Sequence, residues 1–336
     1  METLIYEKLE NRTVRCGICH HFCIIKEGRK GICAVRENNG GALVSLVYDK
    51  LVAAGIDPIE KKPLFHLKPG SYSYSIAAPG CNFACRFCQN ANIAQMSGEK
   101  NSRIPGARVQ PETIVANAQE SGCKSISYTY TEPTVFFELA LETARLARKN
   151  GLLNVFVTNG FMSSDVLDMI SPYLDAANVD LKAFDDQFYQ TYCHARLEPV
   201  KANLKLMKQM GILLEITTLL IPGLNDTPEE LAASARFIAG ELGPETPWHI
   251  SRFHPTHKMT DRPVTPLASL ETAYAIGKDA GLRYVYIGNV PGQSFENTFC
   301  HSCNKMLIQR HGYTIKNYLK DTDICPGCGT PVYGRF

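Results

Sequence analysis

With 336 residues, 45% of them hydrophobic, the chain is long enough for one large domain of roughly 200 to 250 residues with smaller modules beside it. Its 35 basic and 33 acidic residues leave a net charge of +2, which argues against the strong electrostatic footprint of a nucleic-acid or anionic-membrane binder. The start, METLIYEKLENRTVRC, lacks the basic-then-apolar order of a signal peptide, and no run approaches the roughly 18 apolar residues of a membrane span, so a soluble, cytoplasmic protein is expected. Thirteen cysteines in such a compartment stay reduced, and their clustering points to metals rather than disulfides.

Residues 1–65 form the first expected module. Glycine-rich turns (GRKGIC, NNGG) and a short strand candidate, ALVSLVY, surround Cys16-x2-Cys19-x3-Cys23-x9-Cys33, with His20 and His21 interleaved. Four such thiolates can close a zinc site or hold an auxiliary iron–sulfur cluster.

Residues 66–294 alternate β-rich apolar runs with segments of helical period. The runs SYSYSIAAPG, KSISYTYTEP, LNVFVTNG, AANVDLKAF, LLEITTLLIPG, TPWHISRFHP and RYVYIGN are apolar on consecutive residues, which suits strands covered on both faces. Between them, PETIVANAQESG, TVFFELALETARLARKNG and DTPEELAASARFIAGELG carry helix start and stop signals. Strand–helix alternation implies right-handed crossovers and a parallel sheet. Polar or turn residues decorate several strand ends: Pro79-Gly80, Thr131-Glu132, Asn159-Gly160, Asp180 with Lys182, Pro222-Gly223, and His249 with Arg252. Strand ends converge on one site in a barrel, so the expected fold is α/β, a partial (β/α)6-type TIM-like barrel with small cysteine-rich metal-binding modules at both termini.

Residues 295–336 carry Cys300-x2-Cys303 and Cys325-Pro-Gly-Cys328, two knuckles separated by 21 residues. That pattern is a zinc-ribbon signature, with rubredoxin-like iron the main competitor, and so small a segment needs the metal to fold.

The central triplet, Cys81-x3-Cys85-x2-Cys88 in PGCNFACRFCQN, stands apart because it offers three thiolates. Three can hold three irons of a cubane and leave one iron open; a zinc site with a remote fourth ligand and a ferredoxin-like cluster are the alternatives.

With aromatic Phe87 before the last cysteine, this loop resembles the hallmark of the radical S-adenosylmethionine (SAM) superfamily. The resemblance implies a 4Fe–4S cluster on Cys81, Cys85 and Cys88, SAM on the fourth iron, and reductive cleavage to a 5′-deoxyadenosyl radical that abstracts a substrate hydrogen. It also implies SAM contacts: Glu132 in Tyr130-Thr131-Glu132-Pro133, where the family's two glycines are absent; Asp180 and Lys182 in the DLK stretch; Asn159; the Ile221-Pro222-Gly223 turn; and His249. Arg252, His254 and His257 in WHISRFHPTHKM are candidates for substrate, expected on one face with His249. Cys123 is expected to be a core thiol, and Cys193 either a structural thiol or a hydrogen-atom donor near the active face.

Over nearly the whole chain, stretches such as CGICHHFCIIKEGRKGICAVREN, YTYTEPT, NVDLKAF, LIPGLND and the last cysteine segment resemble the radical SAM enzymes of the AmmeMemoRadiSam system, related to pyruvate formate-lyase activating enzymes. That resemblance implies Memo-like and Ammecr-like partner proteins and a reductant such as flavodoxin or ferredoxin. Three functions compete: hydrogen abstraction from, or radical addition to, a small or lipid-like molecule; activation of a glycyl-radical enzyme; and a non-catalytic multi-zinc module.

Overall fold

The structure, a computed structural model, describes residues 1–96, 103–290, 294–320 and 322–336. Its centre is an eight-stranded sheet. Strand β1 (Ala53–Pro58) runs antiparallel to β2 (Tyr72–Ala77) at one edge. From β2 the sheet continues in parallel through β3 (Ser125–Tyr128), β4 (Leu153–Thr158), β5 (Ala176–Asp180), β6 (Leu213–Leu220), β7 (Trp248–Arg252) and β8 (Val285–Gly288), in sequence order. Each crossover carries a helix: α1 (Pro111–Glu120), α2 (Phe137–Lys149), α3 (Ser164–Ile170), α4 (Leu197–Gln209), α5 (Pro228–Phe237) and α6 (Leu267–Asp279). Those six strand–helix repeats are the expected partial barrel, with β8 and β1 as open edges.

Local chemistry starts and stops these elements. Proline occupies the first position of α1 and of α5, where a missing N–H costs nothing, and the Thr227 and Ser163 hydroxyls accept the Glu230 and Val166 N–H groups at the starts of α5 and α3. Strand β6 is buried along almost its whole length, as its run of consecutive apolar residues requires. Its two faces still differ: Ile216 packs toward the helices, while Glu215 and Thr217 face the lumen.

The sheet begins at Ala53, inside the range 1–65 assigned to the amino-terminal module, and the chain then turns back under the barrel. Ile59, Leu64 and Leu67 pack on Val155, Ala176 and Leu213, and the Glu215 carboxylate accepts the backbone N–H groups of Phe65 (3.1 Å) and His66 (2.8 Å). This segment is the floor of the lumen.

The cysteine modules sit at opposite ends. The carboxyl-terminal strands Thr298–Phe299, Met306–His311 and Thr314–Asn317 pack below the floor, where Arg310 donates to the Phe65 carbonyl (2.7 Å). The Leu214 N–H donates to the Tyr333 hydroxyl (3.0 Å), and Arg335 pairs with Asp175 (2.9 Å), both at strand beginnings. The amino-terminal module lies on the opposite rim: His20 N–H donates to the Phe161 carbonyl (3.1 Å) and Ser163 N–H to that of Ile18 (3.0 Å). A buried bidentate ion pair, Arg36 with Glu138 of α2 (2.8 Å at both nitrogens), anchors it. Removing one partner of such a pair costs about 3–5 kcal/mol, because the other charge stays buried.

Candidate active site

The triplet loop leaves the carboxyl end of β2, turning at Gly80, whose φ of +100° suits glycine. Within the loop the Phe83 N–H donates to Cys81 Sγ (3.4 Å), and Asn159 Nδ2 lies 3.9 Å from the same sulfur. Such donors tune a bound cluster, while burial and the nearby Glu132 carboxylate hold the pKa of the free Cys81 thiol well above the usual range. Gln95 Nε2 donates to the Cys85 carbonyl (3.0 Å), and the Lys258 N–H to the Arg86 carbonyl (2.9 Å), so the loop after β7 leans on the cysteine loop.

Asp180 and Lys182 stand beside Cys85 and Cys88. Their side chains pair at 2.9 Å, and the Lys182 ammonium lies 5.8 Å from the Phe87 ring centroid. Burial works against that ammonium, yet Asp180 and the thiols of Cys85 and Cys193 hold its pKa well above the usual lysine range. The lysine therefore stays cationic next to the sulfurs. Cys193 is fully buried, and its thiol is near enough to Cys85 to draw the Cys85 pKa down against the effect of burial. Its backbone carbonyl accepts the Ala84 N–H (3.1 Å), so the segment after β5 runs along the cysteine loop.

Strand register gathers the remaining groups. Asp180, Thr217, His249 and Tyr286 are paired across β5 to β8 in one layer of the lumen. His249 Nε2 is engaged by Glu215 at 2.6 Å, and its ring stacks on Tyr286 at 5.1 Å.

Residues 75–238 match the radical SAM superfamily. This chain carries a radical SAM domain. It is 46% identical to the uncharacterised protein MJ0808 of Methanocaldococcus jannaschii over 333 residues, covering 98% of each chain, and the two belong to one family. Among solved structures, a radical SAM methyltransferase from Sphaerobacter thermophilus superposes with a TM-score of 0.52 at 16% identity, covering 71% of each chain. Streptococcus suis SuiB superposes with a TM-score of 0.50 at 13% identity, over 63% of this chain and 48% of its own. These two likenesses show the fold.

The radical SAM family implies a 4Fe–4S cluster and SAM, and the donor set fits the cluster. Among the described residues, Cys300, Cys303, Cys325 and Cys328 are the one group of histidine, cysteine or acidic residues whose donor atoms all lie within 4.8 Å of one another. Their Sγ–Sγ separations of 3.6 Å for Cys300–Cys328 and Cys303–Cys325 match the edge of about 3.8 Å around one tetrahedral zinc. Cys81, Cys85 and Cys88 are spread more widely, as sulfurs bound to three different irons must be.

Other predicted residues make contacts within the domain. The Glu132 carboxylate is 1% exposed and accepts from the Thr134 N–H (3.2 Å) and hydroxyl, the Thr158 hydroxyl (2.8 Å) and the Asn159 N–H (2.8 Å). Burial raises its pKa above the usual range despite those donors. Here it organises the ends of β3 and β4 behind the cysteine loop. The Thr131 hydroxyl donates to the Ala78 carbonyl (2.7 Å), tying the ends of β2 and β3. Phe87 is buried against Phe188, and Pro222 sits in a turn held by Asn225, whose Nδ2 donates to the Lys182 carbonyl (2.7 Å).

One expectation is corrected. Arg252 does not share the face of His249: three residues apart on a strand, they point to opposite sides, and Arg252 Nε donates to the Thr265 carbonyl (2.8 Å). His254 is exposed, and His257 lies on an exposed turn 3.2 Å from Gln95. The structure adds Asn82, Gln95, Thr158, Tyr189 and Asn225 to the site. Asn82, Thr158 and Asn225 lie inside motifs already singled out, but nothing local marks Gln95 or Tyr189, whose hydroxyl accepts the Lys182 N–H (3.0 Å).

Proposed function

We propose that this protein is a radical SAM enzyme, an oxidoreductase or transferase, acting on a small or lipid-like molecule. The observation that carries the proposal is the Cys81–Cys85–Cys88 loop at a strand's carboxyl end, with the Asp180–Lys182 pair beside it. A cluster and SAM bound there would supply one-electron cleavage of SAM to a 5′-deoxyadenosyl radical. Lys182 sets positive charge beside the sulfurs, Asp180 offers a carboxylate at the strand end, and Asn159 steadies the cysteine loop through Asn82 and Cys81. Glu132 holds the wall behind them.

The floor supports the small-molecule reading. Phe65, His66, Glu215 and Tyr286 are buried below the site, so packed protein closes that end of the barrel. The competing reading is a glycyl-radical activase acting on a protein; Memo-like and Ammecr-like partners, as in the AmmeMemoRadiSam system, a flavodoxin or ferredoxin reductant, zinc on the carboxyl-terminal cysteines, and a cytoplasmic setting extend the proposal. Among the described residues, no helix is long and apolar enough to cross a membrane.

The test is anaerobic reconstitution followed by dithionite reduction with SAM. Formation of 5′-deoxyadenosine that vanishes when Cys81, Cys85 and Cys88 become alanine is expected. Protein that holds zinc but takes up no iron or sulfide would sink the proposal and leave the multi-zinc module. Deuterated cell extract, split into low-mass and protein fractions, then separates the substrate classes: deuterium reaching 5′-deoxyadenosine only from the protein fraction favours the activase.

A further inference from the structure

The amino-terminal cysteines enclose a space rather than a point. Cys16, Cys19, Cys23 and Cys33 line one cavity together with Arg36 and Asn82. No three of these sulfurs lie within 4.8 Å of one another, unlike the compact carboxyl-terminal set in the same chain. One zinc would draw four thiolates to an edge of about 3.8 Å. A cluster binds each thiolate to a different iron and needs the wider set.

Among the described residues, two buried donors of residues lining this cavity lack partners. Arg36 is 1% exposed; its two terminal nitrogens are engaged by Glu138, but Nε has no acceptor. Asn82 is likewise 1% exposed; its Oδ1 accepts from Asn159 Nδ2 (2.7 Å), while its own Nδ2 has no acceptor. An orphaned buried N–H is costly, and cluster sulfides and thiolates are acceptors.

The cavity also shares a wall with the catalytic loop. Asn82 follows Cys81 directly, and its carbonyl lies 2.7 Å from His21 Nε2 of the module. Cys19 pairs across a β-bridge with Met162, three residues beyond Asn159.

Extending the proposed function, on which it rests for its role, we infer that Cys16, Cys19, Cys23 and Cys33 hold a second, 4Fe–4S cluster that carries single electrons to the cluster at Cys81, Cys85 and Cys88. With a thiolate on every iron it has no open position, so it transfers electrons rather than binding substrate. One electron from a reduced flavodoxin or ferredoxin takes the second cluster from 2+ to 1+. Passing it on restores 2+ and takes the catalytic cluster from 2+ to 1+.

The test counts metals in the anaerobically reconstituted full chain and in two variants. Wild type is expected to hold about eight irons with eight sulfides, and the Cys81/Cys85/Cys88→Ala variant about four irons with a reduced-cluster paramagnetic signal. The Cys16→Ala/Cys33→Ala variant should keep about four irons, and its ratio of flavodoxin-driven to dithionite-driven 5′-deoxyadenosine formation should fall at least about tenfold. Zinc in place of iron in the Cys81/Cys85/Cys88→Ala variant overturns the second cluster and leaves the proposed function standing. Iron that survives in that variant but is absent from Cys16→Ala/Cys33→Ala does the reverse. An unchanged flavodoxin-to-dithionite ratio overturns the electron-carrying role.

Discussion

Gly80 and Val35 meet where the amino-terminal module touches the cysteine loop: a Cβ on Gly80 would lie 2.7 Å from Val35 Cγ1. It would also lie 3.1 Å from the Cys33 carbonyl oxygen, and the backbone φ is +100°. Gly80→Ala is therefore expected to cost about 1–3 kcal/mol through strain and contact together, lowering the melting temperature by several degrees. An unchanged melting temperature would mean that the module and the loop are not packed this tightly.

Lys182 carries charge into a site of thiolates. Replacing it by glutamine keeps much of the volume and removes the charge, and 5′-deoxyadenosine formation should fall at least about tenfold while iron content stays full. Full activity with full iron would place the role of this lysine elsewhere.

His66 makes stability depend on acid. Burial pushes its pKa down to about 4 in the folded protein, from 6.5 in an exposed chain, although Glu215 and the Tyr333 carbonyl oppose the shift. The unfolded chain takes up a proton below pH 6.5 that the folded chain refuses until about pH 4, so stability is lost as pH falls through that window and no further below it. The loss is about 3 kcal/mol. His66→Asn, which does not titrate and whose amide nitrogen stands where Nδ1 meets the Tyr333 carbonyl, should lose less melting temperature than wild type between pH 6.5 and 4. Parallel curves would refute the assignment.

The carboxyl-terminal ribbon is expected to bind one zinc. Cys300→Ser/Cys328→Ser should lose one zinc per chain by elemental analysis and become sensitive to proteolysis between residues 295 and 336, because that segment holds few core residues. Iron at this site, with the red colour of an iron tetrathiolate, would contradict zinc.

Much of this protein is set by spacing along the chain. The three-cysteine loop, both four-cysteine sets, the capping of α5 by Thr227 and the consecutive apolar runs of the strands are local patterns, readable because covalent geometry and hydrogen bonding act over a few residues. Placement is different. Tertiary packing alone decided that one module sits on the catalytic rim and the other beneath the floor, that Cys193 meets Cys85, and that Glu132 is consumed by Thr134, Thr158 and Asn159. It also set His249 against Glu215 and turned Arg252 away. These depend on strand register and on groups far apart in sequence meeting in a dry interior, where every donor and acceptor must find a partner, and no local pattern carries that information.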